Sequence, residues 1–91
     1  MTIALISCSK EKKPYPCAAR ELYSASALFS LSYQYARANA DKVFILSAKY
    51  GLVSENKVMA PYDQTLNDMP RKQQLEWAHA VLTMLAHKCS I

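Results

Sequence analysis

The stretch Val43-Phe44-Ile45-Leu46-Ser47-Ala48-Lys49-Tyr50-Gly51 decides the fold class. Four apolar residues, β-branched and aromatic among them, form a run too short for a helix and suited to a strand covered on both faces. The run ends in a serine, a lysine, a tyrosine and the chain's one glycine. A second run of the same kind, Ile3-Ala4-Leu5-Ile6 followed by Ser7-Cys8-Ser9-Lys10, lies near the N-terminus. Between the two, Leu28, Leu31 and Tyr35 fall on one face of a helix that Phe29 and Tyr33 widen. Ser24 or Ser26 can cap that helix, which is expected to run to about Asn39. Strand, helix and strand at this spacing predict a right-handed parallel crossover.

Outward from this unit, Ser9 to Tyr23 reads as a loop, marked by Lys10-Glu11-Lys12-Lys13, Pro14 and Pro16. Ala48 to Asn67 reads as a long irregular connection, of the length at which loops are usually functional. A last helix is expected from about Pro70 to His87, since proline fits a first helical turn. Leu75, Ala78, Leu82 and Leu85 are its predicted main buried stripe, with Trp77, Val81 and Met84 a second. The expected architecture is therefore α/β: β-α-β, a long loop, then α, with parallel strands. Two parallel strands cannot shield both faces or both edges of a sheet. The chain is thus expected to be part of a three-layer doubly wound sheet, completed within a larger domain or by homo-oligomerisation through sheet edges. The ending Cys89-Ser90-Ile91 is compatible with a truncated domain.

The 91 residues suffice for one domain, 52% of them hydrophobic and 20% charged. A net charge of +4 favours anionic partners such as nucleotides or nucleic acid. Cys8, Cys17 and Cys89 are an odd set, read as reduced thiols in a cytoplasmic protein. Leu5-Ile6-Ser7-Cys8 has the look of a lipoprotein cleavage site, but only Met1 and Thr2 precede its apolar run. No stretch approaches the roughly 18 apolar residues of a membrane helix. No metal or cofactor is expected. Cys8 and Cys17 are nine apart, His79 and His87 eight apart, and Gly51 alone cannot make a phosphate loop.

Parallel strands place both carboxyl ends on one sheet edge, where open α/β sheets bind ligands. Cys8, Lys10 and Lys49 are the candidate catalytic residues. A thiol is a nucleophile, and a desolvated lysine is a base or a nucleophile. Ser7, Ser9, Lys13, Ser47, Tyr50, Gly51, Tyr62 and Asp63 are candidate ligand-binding residues, since hydroxyls and lysines hold phosphate or carboxylate. Each has a packing alternative: Cys8 as a small buried hydrophobe, the lysines as a solvated loop, Gly51 as a turn former. Two other functions stay open: a non-catalytic DNA-binding or stress-response module, and a structural remnant without a site.

Ser47-Ala48-Lys49-Tyr50-Gly51-Leu52-Val53, Ala60-Pro61-Tyr62-Asp63 and Leu66-Asn67 resemble a bacterial and phage domain family of unknown function. The resemblance extends to Ser7-Cys8-Ser9-Lys10 and to Leu22-Tyr23-Ser24 before a helix, over roughly residues 3 to 82. It implies a sheet completed by a further strand and helix. The tyrosine–glycine–leucine segment and the later Pro61-Tyr62 are also similar, more distantly, to YaaA peroxide-stress proteins, which implies DNA binding and oxidative protection. Cys8 with Lys13-Pro14-Tyr15 is similar to a Cys-x-x-x-Lys-Pro-Tyr motif of archaeosine synthase, with one residue more between Cys8 and Lys13.

Overall fold

A computed structural model describes residues 2–63 and 66–89, with the side chains of Leu66 and Cys89 outside that description. Ser90 and Ile91, named above, lie outside the described residues.

Both apolar runs are strands. β1 (Ile3–Ser7) and β3 (Lys42–Ser47) pair in parallel, Ile3 opposite Lys42 and Ser7 opposite Leu46. The helix between them, α2 (Ala27–Asn39), starts where Ser26 takes an extended conformation and its hydroxyl accepts the Phe29 N–H at 3.2 Å. That bond satisfies one of the amide donors left open at a helix start. The last helix, α3 (Arg71–Cys89), begins directly after Pro70.

The segments read as loops hold further structure. Cys17–Ala18 (β2) runs straight into a four-residue helix, α1 (Ala19–Leu22), and β2 pairs antiparallel with β5 (Val58–Met59). Gly51–Ser54 is a strand, β4, antiparallel to β3, so the sheet is mixed, in the order β1-β3-β4. The expectation of parallel strands holds for β1 and β3 and fails for β4. Ser47 pairs with Gly51 across the three-residue turn Ala48–Lys49–Tyr50. Gly51 closes this hairpin with φ of 75°, in the left-handed region where a glycine is cheapest.

Alternation along β3 builds two cores. Val43 and Ile45 face one side and join Ile6, Leu22, Tyr23, Phe29, Ala36 and Val53. Phe44 faces the other side and joins Leu52 and Val81, with Leu46, Trp77, Met84 and Leu85 packed around them. Helices therefore lie on both faces. The expected α3 stripe is corrected: Leu75 and Leu82 are exposed, and Trp77, Val81 and Met84 do the packing. The Trp77 indole N–H selects that face by donating to the Ser47 carbonyl at 2.7 Å. On α2, Leu28, Leu31 and Tyr35 stay in solvent, and Phe29, Tyr33 and Ala36 carry the packing instead.

Candidate functional site at the carboxyl edge of the sheet

Ser47, the last residue of β3, is fully buried at 0% exposure. Its hydroxyl accepts the Tyr50 N–H at 3.1 Å, which fixes the turn, and meets the Tyr62 hydroxyl at 2.8 Å. Tyr62 in turn meets the Tyr23 hydroxyl at 2.5 Å. Tyr23 is delivered by the segment after α1, and its backbone carbonyl lies 3.4 Å from the Ser9 hydroxyl. Three hydroxyls thus connect the end of β3 to the segments around β2 and β5.

Cys8 lies directly after β1. Its N–H donates to the Leu46 carbonyl at 3.0 Å, and its thiol is half-buried against the core. Cys8 interacts electrostatically with both tyrosines. Burial pushes both phenols above their ordinary pKa. For each, the contact to Ser47 is the next influence and pulls the other way. Tyr23 and Tyr62 are therefore neutral at physiological pH, serving as hydrogen-bond donors and acceptors and not as bases.

Positive charge surrounds this chain of hydroxyls. The Lys12 ammonium stands 4.3 Å from the centre of the Tyr62 ring and 5.9 Å from that of Tyr23. Lys49 and Lys57 stand 5.3 and 6.0 Å from the Tyr50 ring, which meets Tyr62 edge to face at 5.8 Å. Ammonium groups over aromatic faces are attracted by the ring quadrupole.

The predicted site residues divide into three groups. Ser7, Cys8, Ser9 and Lys10 line one end of a groove of about 1020 Å³ between β1 and α2. Lys49, Tyr50 and Gly51 line a separate hollow of about 520 Å³ against Gln73, Glu76 and Trp77 of α3. Ser47 and Tyr62 line neither of the two and are joined to each other through their hydroxyls. Ser7 and Lys10 are exposed, and the Lys10 carbonyl accepts from the Lys12 ammonium at 3.2 Å. The Ser9 hydroxyl donates to the Glu11 carbonyl at 2.7 Å. Lys13 sits away from this cluster: its N–H donates to the Leu22 carbonyl, and its charge acts on Cys17. Asp63 is exposed.

Reading the sequence for site residues missed Lys12, Tyr23 and Trp77. Tyr23 could have been found through the Leu22-Tyr23-Ser24 motif. Nothing in Lys10-Glu11-Lys12-Lys13 distinguishes Lys12 from its neighbours. Among the described residues, no group of three or more His, Cys, Asp or Glu side chains is placed to hold a metal ion. No helix there is long and apolar enough to cross a membrane.

Fold and site define a small α/β domain with a mixed sheet, helices on both faces and a hydroxyl–aromatic cluster where the parallel strands end. Residues 3–91 match a family described as a family of unknown function (DUF6884), and the chain belongs to it. Neither the curated proteins nor the solved structures gave a match.

Proposed function

We propose that the carboxyl edge of the sheet binds a nucleotide-class ligand, a planar group carrying an anion. The observation that carries this reading is the Ser47–Tyr62–Tyr23 hydroxyl chain beside Cys8, with Lys12, Lys49 and Lys57 around its aromatic rings. Half-buried Tyr62 and exposed Ser7 can donate to carbonyl and phosphoryl oxygens, while fully buried Ser47 and Tyr23 hold Tyr62 in place. The lysines supply the charge, and the exposed face of Tyr50 offers a stacking surface. Cys8 is the nucleophile if the site is catalytic, held next to the hydroxyl that would protonate or orient the bound group. In this reading Lys10 and Lys49 flank the ligand from the two sides, Ser7 and Ser9 complete the β1 side, and Asp63 borders the entrance. Lys12 takes the role nearest the rings.

Support also comes from the basic balance of the chain, +4 overall. That balance favours a second reading, a DNA-binding module in which charge matters and individual groups do not.

Calorimetric titration with nucleosides, mononucleotides and short DNA and RNA separates the two. The site reading expects saturable one-to-one binding of a mononucleotide that survives moderate salt and drops at least tenfold in Lys12→Ala and in Lys49→Ala. Binding of polymers alone, steeply weakened by salt and equal in both variants, contradicts it and marks a basic surface.

A further inference from the structure

Among the described residues β1 is an edge strand, paired with β3 alone. The Cys8 N–H bonds across to Leu46, and in a parallel ladder the residues that point toward the partner strand alternate. The amides of Ile3, Leu5 and Ser7 therefore face the open side. Edge strands are commonly blunted by proline, charge or a bulge. The sequence Ile3-Ala4-Leu5-Ile6-Ser7 contains neither proline nor charge. The sheet's other edge, β4, has Gly51, Leu52 and Val53 all buried.

Alongside the open edge runs the unpacked face of α2. Leu28, Leu31 and Tyr35 are 76, 65 and 74% exposed. Their spacing of three and then four residues is that of a helix–helix seam. They line the same groove as Leu5 and Ser7. The molecule as a whole exposes 5810 Å², where size scaling gives about 5,300 Å² for a folded monomer of 10.2 kDa.

We propose that a second copy of this chain covers the groove, β1 pairing antiparallel with its twin about a two-fold axis at Leu5, and α2 packing against α2. Several observations favour a twin as the occupant. The strand is self-complementary in this register: Leu5 opposes Leu5, and Ile3 opposes Ser7 twice. All three outward residues then exchange backbone bonds in close pairs, about six bonds in total. A two-fold axis normal to the sheet keeps both α2 helices on one face. α2 rests on β1 and β3. With strands about 4.8 Å apart, the twin helix lies about 10 Å away, the distance at which helices pack. The ends match in charge as well. Asp41, whose carboxylate accepts the Thr2 N–H at 2.7 Å, marks the amino end of β1, and Lys10 comes after its carboxyl end. Antiparallel pairing brings opposite charges toward each other at both ends of the seam. The excess exposed area, about 500 Å² on the same scaling, approaches the roughly 600–800 Å² that each partner of a small stable interface buries. The result is a six-stranded sheet in place of two three-stranded ones.

Sedimentation equilibrium over a wide concentration range, on the wild-type chain and on Leu31→Glu and Leu5→Lys, tests this. The wild type is expected to approach twice 10.2 kDa as concentration rises, and both variants to stay at one chain's mass with unchanged circular dichroism. Should Leu31→Glu fail to fold, Tyr35→Lys reads the same seam. A wild type that stays at 10.2 kDa throughout overturns the proposal and assigns the groove to another occupant. A dimer that persists in both folded variants overturns it too, by moving the interface elsewhere.

Discussion

The ends of β1 and β3 carry similar residues, Ser7-Cys8-Ser9-Lys10 and Ser47-Ala48-Lys49-Tyr50, and the structure treats them differently. At the end of β3 the serine is buried, its hydroxyl engaged by Tyr50 and Tyr62 and its carbonyl by Trp77. At the end of β1 the serine is exposed, and the lysine two residues beyond Cys8 stands in solvent. The cause lies in the segment that each strand leads into. β3 turns back at once into β4, so its end is enclosed by a hairpin and by α3. β1 leads into a proline-marked segment at the open edge. One end is a rigid wall whose groups are already committed to each other, and the other leaves its serine and lysine exposed. Cys8 at the β1 end acts electrostatically on Tyr62 at the β3 end.

If that contrast is right, changes at the β3 end cost stability and changes at the β1 end do not. The largest effect is expected at Gly51. A Cβ there would stand 3.1 Å from the Met84 sulfur, on a backbone with φ of 75°. Gly51→Val should cost about 3 kcal/mol in urea unfolding, from left-handed strain and overpacking together. Ser47→Ala comes next, at about 2 kcal/mol, because it leaves the Tyr50 N–H and one contact of Tyr62 without a partner.

Alkaline pH sharpens the comparison. A tyrosine in the unfolded chain ionises near 10.0, whereas burial holds Tyr23 and Tyr62 above that. Above about pH 10 the unfolded state loses protons that the folded state keeps. The stability these groups contribute is thus complete below about pH 10 and falls as pH rises past it. The slope is at most about 1.4 kcal/mol per pH unit for each tyrosine. Tyr62→Phe should flatten this decline, as read from unfolding midpoints taken from about pH 9 to about pH 11, on either side of the ordinary phenol value. The smallest effect belongs to the open end: Ser7→Ala and Lys10→Ala should each stay within about 0.5 kcal/mol of the parent. A loss at Lys10→Ala as large as that at Ser47→Ala would erase the contrast.

The elements that sequence could reveal were those marked by local chemistry. Ile3 to Ile6 and Val43 to Leu46 are continuous apolar runs, Ser26 is a cap, and Pro70 is a helix start. β4 escaped notice because Leu52-Val53 is a short apolar pair after a glycine, and its strand state depends on pairing with β3. β2 and β5 are two residues each and exist only through one another. On α3 the sequence offers two apolar stripes of nearly equal merit, and a long-range bond from Trp77 to Ser47 decides between them. The site divides in the same way. Both strand ends and Tyr62 could be read from the sequence. The roles of Lys12 and Tyr23 depend on how the segment between β1 and α2 folds back over the sheet edge, which no spacing encodes.

The most direct test of a two-sided site is amide NMR of the wild-type chain during titration with a mononucleotide. The account predicts saturable shifts concentrated at Ser7–Lys12, Ser47–Gly51 and Tyr62, with the β1 end moving most and the β3 end least. Shifts scattered over surface lysines, or confined to one strand end while Tyr62 stays silent, would contradict it.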